Sequence, residues 1–88
     1  MKGAKKMLFQ TLTLNDGTEI TECNAIVSDN VLWLYVYSAI DFGELFNLLN
    51  DPEKVKKITA ADASYRGFKE LFCIRKEVGG FITAGLRK

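Results

Sequence analysis

The sequence predicts an α+β domain of order β-β-β-α-β-β-β, an antiparallel curved sheet or open barrel with one helix packed on it. Three observations carry this reading. A single stretch, SAIDFGELFNLLNDP from Ser38 to Pro52, has a clear helical spacing of apolar residues. The most strand-prone run, VLWLYVY from Val31 to Tyr37, stacks aromatic and branched side chains without a polar break. Between the strand-like runs stand tight-turn sequences, Asn15-Asp16-Gly17-Thr18, Ser28-Asp29-Asn30 and Gly79-Gly80, which join antiparallel neighbours.

In chain order, Lys6 to Leu14 alternates, with Leu8, Gln10, Leu12 and Leu14 on one side and Met7, Phe9, Thr11 and Thr13 on the other. Asp16-Gly17 turns the chain, and Thr18 to Ser28 returns as the second strand. Its mixed pattern around Glu22 to Ala25 predicts a bulge or an edge position. Val31, Trp33, Tyr35 and Tyr37 share one side of the third strand, and Leu32, Leu34 and Val36 the other, so both sides need cover. In the helix, Phe42, Leu45, Phe46 and Leu49 fall at i, i+3, i+4 and i+7 and are expected to share the buried face. Asp41 caps its start, with Glu44 completing a box-like pair, and Pro52 stops it near Asn50. A helix of about ten residues is unstable alone in water, so it must pack on the sheet.

Asp51-Pro52-Glu53 can cap a further short helical turn. In the segment that follows, Val55, Ile58 and Ala61 fit a helix, whereas Ile58 and Ala60 fit an alternating strand. The reading adopted is a turn followed by a short strand from Lys57 to Ala61. Asp62-Ala63-Ser64 reads as a loop, and Tyr65 to Val78 as one strand kinked at Gly67. In that strand Leu71, Cys73 and Arg75 face one way, and Phe72, Ile74 and Val78 mark the buried side. Phe81 to Arg87 closes the sheet, with a bulge at Gly85.

The 88 residues, 48% hydrophobic with one Pro, make one domain over residues 7–88 behind a flexible arm over residues 1–6. A chain this short buries only about 60–65% of its unfolded surface, and oligomerisation is a common remedy. No run reaches the ~20 apolar residues of a membrane span, and the basic N-terminus lacks the cleavage site of a signal peptide. Cys23 and Cys73 are therefore expected as buried thiols in a reducing setting rather than as a disulfide.

Charge is segregated along the chain. Residues 7–53 hold Asp16, Glu19, Glu22, Asp29, Asp41, Glu44, Asp51 and Glu53 with no Lys or Arg, and residues 54–88 hold nine bases against three acids. Either acidic and basic strands pair their charges locally, or the molecule carries opposite charge on two faces and suits head-to-tail association. The first reading is preferred.

No enzyme is predicted. The chain has no His, which removes the commonest general base and zinc ligand. Asp16, Glu19 and Glu22 resemble a carboxylate cluster, but turn and strand roles already explain them. Gly79-Gly80 lacks the length and helix of a phosphate-binding loop. No catalytic, metal or cofactor residue is assigned, and no membrane partner is expected. The candidate interaction face is Trp33, Tyr35 and Tyr37. The rival reading is a nucleic-acid-binding module that stacks bases on those rings and holds phosphates with Arg66, Lys69, Arg75 and Lys76. Against it, the aromatics sit in the acidic half of the chain and no RNP-like motif is present.

The spaced set Leu12 to Thr18, Asp51 to Ile58, Tyr65 to Leu71 and Leu86-Arg87-Lys88 resembles small prophage-encoded proteins of Gram-positive bacteria, uncharacterised or assigned to virion and tail gene modules. The resemblance implies a structural or assembly role and carries over no catalytic residue. The expectation is a self-associating interaction protein, a homo-oligomer or a binder of other assembly proteins such as tail or neck components. It would act in the cytoplasm, or in the virion if phage-encoded.

Overall fold

The computed structural model describes residues 9–88. The predicted arm over residues 1–6 and the predicted start of the first strand at Lys6 lie outside them. The elements are β1 (Gln10–Thr13), β2 (Glu19–Ser28), β3 (Val31–Val36), α1 (Phe42–Leu49), β4 (Lys57–Ala60), β5 (Ala63–Arg66), β6 (Glu70–Lys76) and β7 (Ile82–Arg87). The α+β class holds. The predicted single strand from Tyr65 to Val78 is two, because Gly67, at φ +84, turns the chain instead of kinking it. Ala63 and Ser64, expected in a loop, open β5, and the turn sits at Ala61-Asp62.

The strands form one antiparallel sheet in the order β5-β4-β1-β2-β3-β7-β6. Its two edges, β5 and β6, are consecutive in the chain and joined only by residues 67–69. Six strand spacings of ~4.8 Å would set the edges about 29 Å apart in a flat sheet. The chain from Arg66 to Glu70 spans at most about 14 Å. The sheet therefore has to curl, and it stays open because β5 and β6 do not pair.

The curl turns on β2. Its first half pairs with β1 through Glu19, Ile20 and Cys23, and its second half pairs with β3 from Cys23 to Ser28. Between Ile20 and Cys23 β2 carries one residue more than β1, and there Glu22 takes φ 56. This is the expected bulge, and it bends the strand between two half-sheets. The Tyr37 N–H donates to the Glu22 carbonyl at 2.9 Å and ties the bend to the end of β3.

The concave side is the core. Leu12, Ile20, Ile58 and Ala60 from one half-sheet and Leu32, Leu34, Val36, Ile82, Ala84 and Leu86 from the other form one buried cluster, which Leu45 and Leu49 of α1 join. Phe68, in the connector between the edges, is also buried. The Asp41 carboxylate caps the helix by accepting the Glu44 N–H at 3.1 Å, although the return bond to the Glu44 carboxylate is not made. The expected buried face is corrected: Leu45 and Leu49 are inside and Leu48 packs against the core, whereas Phe42 and Phe46 are exposed. After the helix, Asp51 accepts the backbone N–H groups of Glu53, Lys54 and Val55, which makes the single capped turn expected before β4.

Candidate interaction face

The convex side of the curled sheet divides into two chemically different halves. Over β5, β4 and β1 it presents Ser64, Thr59, Thr13 and Thr11, with Lys57 and Arg66 at one end. Threonine satisfies both a strand backbone and water, so these hydroxyl-bearing rows need no apolar cover.

Over β2, β3, β7 and β6 the convex face is aromatic. The register sets Ile26, Trp33 and Gly85 in one row, and Asn24, Tyr35 and Thr83 in the next. Phe72 of β6 joins the first row. Its ring centroid lies 5.8 Å from that of Trp33 in an edge-to-face contact. At the far end Tyr37 stacks on Phe81 at 4.8 Å and meets Phe9 at 5.0 Å. Trp33, Tyr35 and Tyr37 are thus brought together on one face, as predicted from their alternation.

Gly85 makes the first row possible. A Cβ there would stand 2.9 Å from Cζ3 of Trp33 and 3.1 Å from Cε1 and Cζ of Phe72, so both rings rest directly on the β7 backbone. The bulge expected at Gly85 belongs instead to its neighbour strand. Leu71 pairs with Leu86 and Cys73 with Gly85, which leaves Phe72 as the extra residue in β6. That residue breaks the alternation in β6 and corrects the predicted sidedness. Leu71 and Ile74 pack against the core, Phe72 is 39% exposed on the convex side, and Val78 is fully exposed in the turn. Cys73, opposite Gly85, also takes the convex side, half-buried.

The rings are half-buried by one another rather than by a second layer. Trp33, Tyr35 and Tyr37 are intermediate in exposure, while Ile26 beside Trp33 is 54% exposed. Among the described residues no strand or helix lies over this face, since every strand belongs to the one sheet and α1 packs against the core on its other side.

The charges around the face cancel. Arg87 donates to both carboxylate oxygens of Glu70 at 3.1 and 3.2 Å, and its guanidinium sits 4.8 Å from the Phe72 ring centroid. Arg75 pairs with Glu77 at 3.0 Å. These contacts hold Glu70 and Glu77 below the ordinary carboxylate range. Of the basic residues proposed for phosphate contact, only Arg75 borders the aromatic face, and it is already paired. Arg66 lies on β5 in the other half-sheet, Lys69 in the connector, and Lys76 on the opposite side of β6 from Arg75. The structure does not gather these four residues into one surface.

Elsewhere, Lys54 bridges Asp16 at 2.9 Å and Asp51 at 4.0 Å, which joins the acidic and basic segments of the chain locally. The Lys54 ammonium and the Thr18 N–H hold the Asp16 carboxyl far below its usual range. Cys23 is buried, and desolvation, with the charge of Glu22, pushes its thiol up to about 12. Neither cysteine forms a disulfide. The three strand spacings between β2 and β6, about 14 Å, exceed the reach of a disulfide.

Among the described residues no cluster of three His, Cys, Asp or Glu side chains is placed to hold a metal ion, and no ligand-sized pocket opens. No helix among them is long and apolar enough to cross a membrane. Comparison of the chain with protein-family models, curated proteins and solved structures returned no match.

Proposed function

We propose that this protein is a non-enzymatic interaction module that self-associates through the convex face of β2, β3, β7 and β6. The observation that carries the proposal is the row Ile26–Trp33–Phe72, aromatic and aliphatic surface left in water on a single-layered face. Trp, Tyr and Arg are the residues that dominate interface energies, and here Arg87 is held over Phe72 by Glu70. The neutral rim favours a second copy over a nucleic acid. Two such faces approach without net repulsion, and each offers both signs of charge to the other. The resemblance to prophage proteins supports the same class of role, a component of a larger assembly such as a phage tail or neck.

The face spans four strands of ~4.8 Å spacing and about six residues of ~3.3 Å rise, roughly 380 Å² in projection. A standard interface buries about 800 Å² per partner, so a contact confined to this face belongs to the weak class. Association is therefore expected at micromolar rather than nanomolar concentration. Sedimentation or light scattering over a concentration series tests it, with Ile26→Lys as the variant, because Ile26 lies outside the core and its replacement leaves the fold intact. Wild-type association that is lost in I26K, with an unchanged circular dichroism spectrum, supports the reading. A strict monomer at the highest concentration refutes it. Oligonucleotide binding that weakens steeply with salt and is lost on replacing Trp33 would restore the nucleic-acid reading.

A further inference from the structure

We propose that the outward-facing pair Lys57–Arg66, with Ser64 and Thr59 beside it, is a binding site for a phosphate-bearing anion. Lys57 and Arg66 are direct partners in the antiparallel pairing of β4 with β5, and Thr59 and Ser64 are the next pair on the same face. The intervening pair, Ile58 and Tyr65, turns the other way, with Ile58 fully buried. Side chains directly opposite one another in such a ladder have Cβ atoms about 5 Å apart, where like charges destabilise the sheet.

No ion pair among the described residues relieves this repulsion. Neither Lys57 nor Arg66 forms an ion pair, and Asp16 and Asp51, on the neighbouring turns, are both engaged by Lys54. Glu19 stands in the row of Thr13 and Thr59, two strands from β4, at about 10 Å. Lys57 is also half-buried, so its charge is less screened than that of a fully exposed lysine.

An anion placed between the two side chains converts the repulsion into two attractions. Phosphate fits this geometry. The guanidinium presents two parallel N–H donors to two oxygens, the ammonium takes a third, and the hydroxyls of Ser64 and Thr59 are available as further donors. Tyr65, the one aromatic residue of β4 and β5, turns to the other side, so recognition is of the phosphate alone, without base stacking. The site is independent of the self-association face, which lies on the other half-sheet.

The test is thermal unfolding of the full chain in phosphate and in chloride at matched ionic strength, for wild type and Arg66→Glu. The substitution replaces the repulsive pair with an attractive one, so R66E in chloride should unfold no lower than wild type. In wild type, phosphate at ten times its dissociation constant is expected to raise Tm by about 6–11 °C, and R66E should show no such rise. Phosphate also stabilises proteins in general by exclusion from their surface. A rise shared equally by both proteins, or no rise in wild type, overturns the proposal. Single-stranded oligonucleotides then identify the source of the phosphate. Binding that R66E abolishes points to a nucleic-acid backbone, and a phosphate response without it points to a small phosphorylated ligand.

Discussion

Gly85→Ala is the sharpest perturbation of the aromatic face, because it adds one methyl group beneath two rings. The new Cβ would meet Cζ3 of Trp33 at 2.9 Å and two Phe72 carbons at 3.1 Å. Carbon atoms pack at about 3.5–4.0 Å, so the Trp33 ring must retreat by about 0.6–1.1 Å and the Phe72 ring by about 0.4–0.9 Å. Both can swing outward, which disrupts their edge-to-face contact, worth about 0.5–1.5 kcal/mol. Forcing a side chain off its rotamer costs a further ~0.5–1.5 kcal/mol. Alanine returns about 0.5–1 kcal/mol relative to glycine in a strand. The net destabilisation is about 1 kcal/mol, or about 4–8 °C in Tm for a domain of this size. Urea denaturation followed by fluorescence reads it directly, because Trp33 is the chain's one tryptophan. Phe72→Ala removes one of the two clashes, so the double variant G85A/F72A should cost less than the sum of the single variants. A G85A protein as stable as wild type, with unchanged near-ultraviolet dichroism, would refute the packing described for this row.

Three further outcomes are expected. Ala61 holds φ 54 at the first position of the two-residue turn between β4 and β5, a place that favours glycine, so Ala61→Gly should stabilise the protein by about 0.5–1 kcal/mol in urea denaturation. Asp16 titrates below its unfolded value because of Lys54 and Thr18, so its stabilising contribution is present above pH ~4 and is lost as the pH falls through the folded value. The deficit of Asp16→Asn in urea midpoint should therefore be small at pH 7, both groups being exposed, and should shrink in acid and in high salt. A thiol reagent should modify one cysteine per native chain, Cys73, and both only after unfolding, because Cys23 is buried and holds its proton; fast native labelling of Cys23, read by mass spectrometry, would contradict the burial.

What could be read from the sequence was local chemistry. Asp16-Gly17 announces its turn because few other residue pairs accept the required backbone, and Gly17 indeed takes φ +92. Glu22 betrays its bulge by breaking an otherwise regular alternation. The double-sided character of Val31 to Tyr37 follows from having no polar residue in seven. Apolar spacing misplaces the buried face of the helix for a geometric reason. At ~100° per residue, Leu48, Leu45, Leu49, Phe42 and Phe46 occupy an arc of about 160°, and spacing alone does not say which part of so wide an arc the sheet covers. The extra residue at Phe72 was invisible because its partner strand lies ten and more residues away in sequence. A bulge is a mismatch between two strands, and one strand alone cannot show it. The Lys57–Arg66 pairing was hidden likewise, since it depends on β5 beginning at Ala63 rather than Tyr65.

The two halves of the convex surface form an internal control for the proposed association. Both are strands of the same sheet, with the same need for side chains that suit a pleated backbone. Threonine at positions 11, 13 and 59 meets that need and remains compatible with water. Ile26, Trp33 and Phe72 meet it equally well but leave apolar surface exposed, and burying such surface is worth about 25 cal/mol for each Å² removed from water. Folding gains only the modest ring contacts of the second set, because neither set of side chains enters the core. Only the second leaves free energy to be gained by covering the face. Replacing the aromatic row with threonine should therefore preserve the fold and abolish association, whereas placing aromatics on the threonine half should create a new adhesive face without improving the old one.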